Sequence, residues 1–339
     1  MNLSTETIKA ITIGAMAFHE DAEGITPCRF TDRQLMVYGP DSATRLVAQN
    51  SASIALDFYT DSAFLRFAAD GIRERGEDFV FFDLLVDGQL TQSFRHRHDG
   101  EACDHIPIPF GPVGDTFYLP EGEKRVTLYL PYAAKTRLLS VELSDGAFVR
   151  PCDYSYTWCA FGDSITHGYN AECTSLTFVN QLSRMLNAQC HNFGIGGQMF
   201  REKKIVKGTY PKCDFVTIAY GTNDYGHQSL ERFDVTMPSF LRQAAEAFPD
   251  VPVFVITPTW RNDEAVGKVY KKMGLTLPQV RARIAAEAAK YPHFHVVDGS
   301  ALVPHSRNFY GDDLNVHPNN AGFAHYAANL CKIITEVLK

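Results

Sequence analysis

The sequence predicts two folded parts of different class: an all-β sandwich over residues 1–150 and an α/β layer with a parallel sheet over residues 151–339. Three observations carry this. Before residue 150, short β-rich runs are separated by turn residues. After Pro151, strand-like and helix-like segments alternate. Each of the first three strand-like runs in that second part ends in a polar, glycine-bearing loop. A length of 339 residues also favours two domains over one.

Taken in order, residues 52–70 carry apolar β-rich runs broken by polar pairs. Residues 79–96 read as a hairpin with Asp87-Gly88 at the turn, a pair that accepts the positive φ angles of a two-residue connection. Residues 124–131 and 138–149 are two more strands, the second meeting Asp145-Gly146. No convincing amphipathic helix is found in this half. Several strands with turn signals at short intervals predict a sandwich, with most of the Phe and Tyr of this half in its core.

Beyond Pro151, residues 156–164 form a strand running into a glycine turn, and 175–188 have helical spacing. Residues 190–197 are a short strand entering a Gly-rich loop, and 214–224 a buried strand entering another. Helix 237–248, strand 251–259, helix 277–291, strand 293–300 and helix 319–338 complete the part. Such alternation implies a parallel sheet covered on both faces. Ligands of open sheets bind at the carboxyl edge. The clusters Gly162-Asp163-Ser164, Gly194 to Gly197 and Gly221 to Asp224 all fall there.

Composition narrows the function. Lys and Arg number 32 against 39 Asp and Glu, a formal charge of −7, with no dense basic block. That is a poor match to a phosphate backbone, so nucleic acid is not an expected partner. No run approaches the roughly 18 apolar residues of a membrane span, and the N-terminus lacks the features of a signal peptide. A cytoplasmic protein without a membrane partner is expected. The eight Cys form no CxxC pair, which predicts free, mostly buried thiols. His96-Arg97-His98-Asp99 has no third and fourth ligand in register, so no metal is expected.

Acyl transfer requires a nucleophile, a base, something to orient the base, and donors for the oxyanion. Ser164 lies at a strand-to-helix turn, where the helix N-terminal amides favour developing negative charge. Gly197 can bring a backbone N–H close, and Asn223 offers a side-chain amide. His317, in the loop before the last helix, can return to the same edge.

Phe161-Gly162-Asp163-Ser164-Ile165-Thr166 resembles the first signature block of the SGNH, or GDSL, hydrolases. Asn192 to Gly197 is similar to the second block, Gly221 to Asp224 to the third, and Asp312 to Pro318 to the last. The resemblance covers roughly residues 155–339 and implies a flavodoxin-like three-layer α/β/α domain. It also implies the roles: Ser164 as nucleophile, His317 as base and then acid, and Ser164 N–H, Gly197 N–H and Asn223 as the oxyanion hole. The family's acid normally stands three residues before the His, where this chain has Leu314. Asp313, four before, is the preferred orienting acid; Asp312 or a backbone carbonyl are the alternatives. His167 and Trp260 are candidate substrate contacts.

The N-terminal half is similar in architecture to two-domain members of the superfamily, including carbohydrate esterases of family two. The expectation is therefore a serine esterase acting on small acyl esters, with acetylated sugars or oligosaccharides as the substrate class and no cofactor. Acyl transfer to another acceptor and a non-catalytic carbohydrate-binding protein are the alternatives. A homo-oligomer, with the sandwich over a neighbouring copy's site, remains open.

Overall fold

The hairpin expected at Asp87-Gly88 is present, with φ angles of 48° and 80° at the two turn residues. It belongs to the first of two units in the computed structural model, which describes residues 1–39, 42–73, 79–97, 108–311 and 316–339. That unit comprises Met1–Thr31, Tyr38–Tyr154 and Cys173–Ser175; the second comprises Asp32–Val37, Ser155–Glu172 and Leu176–Lys339.

The first unit contains β1 (Thr12–Ile13), β2 (Ala17–Glu20), β3 (Ile25–Cys28), β4 (Ala55–Thr60), β5 (Phe64–Arg73) and β6 (Phe79–Val86). It continues with β7 (Gln89–Arg97), β8 (Ile108–Tyr118), β9 (Lys124–Tyr129), β10 (Ala134–Leu143) and β11 (Arg150–Pro151). One sheet runs β1-β4-β9-β6-β7 with β11 added to β4; the other runs β2-β3-β10-β5-β8. All their pairings are antiparallel. Inward side chains of both sheets form one core that includes Phe58, Phe67, Phe82, Leu128 and Val141. Phe67 of one sheet lies 4.5 Å from Phe82 of the other, ring centre to ring centre. Each such fully buried side chain contributes roughly 1.5–3 kcal/mol.

This unit differs from the sequence reading in its helices and in the strands β1, β2, β3 and β8. Short helices occur at Thr5–Ile11 and Ala43–Ala48, each capped by a serine, Ser4 and Ser42. Fewer than two full turns are too short for a 3.6-residue apolar period to show. The strand β8 was also not expected, because its sequence holds two prolines and two glycines. It is an edge strand, where a missing N–H donor costs little.

The second unit holds β12 (Tyr156–Gly162), β13 (Ala188–Asn192), β14 (Phe215–Ala219), β15 (Val253–Ile256) and β16 (Phe294–Val297). The order is β13-β12-β14-β15-β16, parallel throughout. This is the doubly wound order in which the chain reverses direction across the sheet at the first strand. The crevice at the end of β12 is therefore flanked by the loops after β13 and β14. Helices Phe178–Leu186 and Asn320–Leu338 pack together, with Phe178 and Tyr326 rings 4.1 Å apart. The helix Leu230–Ala247 begins seven residues before the expected 237 and carries Pro238 inside it. Ser229 caps the helix, and its buried face runs from Phe233 to Ala244. No helix among the described residues is long and apolar enough to cross a membrane.

Candidate active site

The strand β12 ends at Gly162, and Asp163 turns the chain into a short helix, Ser164–His167. The Asp163 carboxylate accepts the Ile165 N–H at 3.0 Å, which caps that helix. Ser164 stands at its first position, 7% exposed. Its N–H makes no hydrogen bond among the described residues, as a first-turn amide has no partner within its own helix.

His317 arrives from the far end of the sequence. Its Nε2 lies 2.5 Å from Ser164 Oγ. The segment carrying it is tied back on itself: Gly311 N–H donates to the His317 carbonyl at 2.9 Å, and Tyr310 pairs with Pro318 in a β-bridge. Asn319 caps the last helix and also donates its side-chain amide to the Asn308 and Tyr310 carbonyls. Asn170 completes the hold, donating Nδ2 to the carbonyls of His317 and Pro318 at 3.4 and 3.3 Å. It does so from a left-handed backbone, φ 72°, three residues past the nucleophile helix.

The second loop is seated directly on that helix. Asn192 Nδ2 donates to the Thr166 carbonyl at 2.9 Å, while its Oδ1 accepts the Gly194 N–H at 2.8 Å. A Cβ on residue 194 would stand 2.7 Å from the His167 nitrogen, so only glycine permits this approach. Gly197 has φ +73° with open space around it, so backbone conformation rather than crowding selects glycine there. Its N–H makes no hydrogen bond among the described residues. The third loop answers the second: Asn223 Nδ2 donates to the Gln198 carbonyl at 2.9 Å. That uses one amide hydrogen and leaves the other for an incoming group. One loop edge of one sheet thus holds a serine hydroxyl, an imidazole and three unengaged N–H donors.

The GDSL-like lipase/acylhydrolase family matches residues 160–325, a span that starts within β12 and includes Ser164 and His317. The match places the second unit's sequence beside this family. No curated protein sequence is detectably similar to it. Among solved structures, the salicylyl-acyltransferase SsfX3 from a tetracycline biosynthetic pathway is 19% identical, with TM-score 0.77 over 96% of this chain and 94% of that one. A family two carbohydrate esterase from Clostridium thermocellum, in complex with cellohexaose, is 15% identical, with TM-score 0.65 over 96% and 98%. The acetyl xylan esterase Est2A of the rumen bacterium Butyrivibrio proteoclasticus is 13% identical, with TM-score 0.59 over 85% and 90%. At these identities the likeness is one of fold, and it extends over both units.

Two buried carboxyls adjoin the site in sequence, Asp163 next to Ser164 and Asp224 next to Asn223. Burial raises Asp163 to about 6, opposed by its bond from Ile165. Burial likewise raises Asp224 to about 8. Asp224 accepts the Phe200 N–H and the Gln228 amide, so it fastens the second loop to the third. The His317 charge also opposes the rise at Asp163. Asp312 and Asp313, the candidate orienting acids, lie outside the described residues.

His167 and Trp260 are placed beneath the surface. His167 is fully buried, edge-on to Tyr169 at 5.1 Å. Trp260 is 8% exposed and stacked on His305. A substrate would meet either only by displacing what covers it. Tyr169, absent from the sequence reading, instead stands between the His317 ring, 6.2 Å away, and Gly196, where a Cβ would come within 3.0 Å of its ring. Asn170 and Asn192 were missed as well. Both belong to GDSL-family blocks or their flanks, but their work is on carbonyls distant in sequence.

His96 and Arg97 belong to β7 and to its end, and His98 and Asp99 lie outside the described residues. No group of three or more metal-ligating side chains occurs among the described residues. None of the described cysteines forms a disulfide.

Proposed function

We propose that the chain is a serine esterase that hydrolyses small acyl esters, acetyl esters of a carbohydrate being the best-supported class. The observation that carries this is the 2.5 Å contact between Ser164 Oγ and His317 Nε2 beside the unengaged N–H groups of Ser164 and Gly197. Ser164 Oγ attacks the ester carbonyl carbon and its proton passes to His317 Nε2. The resulting oxyanion accepts from Ser164 N–H, Gly197 N–H and the second Asn223 amide hydrogen. As the C–O bond breaks, His317 returns the proton to the leaving alkoxide. Water then attacks the acyl-enzyme by the same route, giving acid and free serine. Asp313 is proposed to orient the imidazole. The fold shared with the Clostridium thermocellum and Butyrivibrio proteoclasticus esterases supports the sugar-ester class.

The test is p-nitrophenyl acetate hydrolysis, followed by acetylated xylo-oligosaccharides. Ser164→Ala should abolish turnover, and Asp313→Asn should lower kcat substantially. Undiminished hydrolysis in Ser164→Ala would refute the nucleophile, and near-full turnover in Asp313→Asn would leave orientation to another group.

A second reading is acyl transfer to an acceptor other than water, favoured by the likeness to SsfX3 over nearly the whole of both chains. The same residues serve it. Adding an alcohol acceptor during p-nitrophenyl acetate turnover separates the two: a product dominated by the new ester, at modest acceptor concentration, would favour transfer.

A further inference from the structure

The sheet β2-β3-β10-β5-β8 carries a cavity of about 360 Å³, near the lower end of the range for small-ligand pockets. It is built entirely within the first unit and shares no residue with the ester site. Along β10, Lys135 and Arg137 alternate with the buried Ala134, Thr136 and Leu138; along β5, Asp70 follows the buried Ala69. Strand alternation therefore turns the charged side chains away from the sandwich core.

The polar side is arranged around Arg137. Its Nε and Nη2 donate to both oxygens of Asp70, at 2.9 and 2.6 Å. Its Nη1 donates to Asp21 at 2.9 Å and pairs with Glu23. This fork fixes the Asp70 and Asp21 carboxylates, whose oxygens retain acceptor capacity. Lys135 also lines the cavity, and its ammonium makes no hydrogen bond or ion pair among the described residues. Ile72 and Pro109 supply apolar surface on the same lining. Counting Glu23, these groups sum to two positive against three negative charges, which disfavours an anionic ligand.

Fixed carboxylate acceptors, an ammonium donor and an apolar strip suit one ligand class. We propose that this cavity binds a neutral pyranose unit. Vicinal hydroxyls donate to Asp70 and Asp21, another accepts from Lys135, and the C–H face of the ring lies on Ile72 and Pro109. The choice of sugar rests on the carbohydrate-ester reading above; the site itself does not.

Calorimetric titration of the full chain carrying Ser164→Ala with xylobiose and cellobiose tests it. One sugar per chain should bind, and adding Lys135→Ala should weaken binding about tenfold, near 1.4 kcal/mol. Because Lys135 supports no other group, that variant keeps the fold even if Asp70→Asn disturbs it. Adding Asn223→Ala in place of Lys135→Ala should leave sugar affinity unchanged. No binding, or binding weakened by Asn223→Ala and not by Lys135→Ala, overturns the proposal. Hydrolysis of p-nitrophenyl acetate, measured on chains with Ser164 intact, reports separately on the esterase: Lys135→Ala should match the wild type.

Discussion

Asn170 shows why single residues of this site carry more than their type suggests. It holds φ 72° and spans two carbonyls of the segment that presents His317. Replacing it with glycine keeps the backbone conformation and removes only the amide donor. Asn170→Gly should lower kcat on p-nitrophenyl acetate about tenfold while KM stays within about twofold, since imidazole position matters in the transition state. An unchanged kcat would remove Asn170 from the positioning set. Asp224 sets a second expectation. Its folded pKa, about 8, lies above the ordinary carboxyl value of 3.8. The native state therefore binds more protons than the unfolded chain across that interval. Stability from this group is greatest at low pH and falls as pH rises toward 8, by at most about 1.4 kcal/mol per pH unit. Asp163, raised to about 6, acts with the same sign over a narrower range. Asp224→Asn can keep both acceptor contacts at Oδ1, so its urea midpoint should decline less than the wild type's between pH 6 and 8. Equal slopes would mean the carboxyl is ionised in the native protein throughout.

The placement of Ser164, Gly197, Asn223 and His317 in loops was legible in the sequence because each stands at a predicted strand end or before a predicted helix. Asn170, Asn192 and Tyr169 were not. Their value lies in a left-handed backbone, a carbonyl 26 residues away and a ring edge, none of which leaves a local pattern.

At the scale of elements, the stretch from Arg261 to Gly274 is polar and irregular in sequence, a pattern that fits a lid or an ordinary surface loop equally. The structure gives it many tethers. Arg261 pairs with Asp263 and donates to Tyr270, Tyr225 hydroxyl donates to the Lys268 carbonyl, and Arg281 grips Glu264 with two nitrogens. Native-state hydrogen exchange should therefore find the amides of Gly267 and Lys268, bonded to Glu264 and Asp263, protected well above those of a fraying loop. Exchange at the rate of an unprotected peptide would restore the lid. The sequence shows polarity here and not tethering, because each tether joins groups whose meeting depends on the finished sheet. The edge strand β8 makes the complementary point: prolines and glycines that argue against a strand in isolation are tolerated where one side needs no partner.

For the whole molecule, the change in pattern near residue 150 made two folded parts legible, but not the exchange of short stretches between them. Asp32–Val37 groups with the second unit and Cys173–Ser175 with the first. Too few residues are involved for composition to register. Within the first unit, Ser175 N–H donates to the buried Asp83 carboxylate at 2.7 Å, and Tyr132 N–H donates to the Thr174 hydroxyl at 3.1 Å. A fragment ending at Tyr154 lacks both. A buried carboxylate deprived of a donor costs roughly 1–3 kcal/mol, so the fragment should unfold at a lower temperature than the first unit within the intact chain. Equal melting would show that Asp83 finds another donor.

The same three residues bear on how the chain is made. Synthesis delivers residues in order, and Thr174 and Ser175 leave the ribosome after β12 and the helix Ser164–His167. The sandwich receives the Ser175 donor from a stretch that emerges behind the nucleophile, while Asp32–Val37 emerges long before the rest of its own unit. Neither unit is finished at birth before the other has begun, so the maturation of Ser164 and that of the sugar cavity are bound to one schedule.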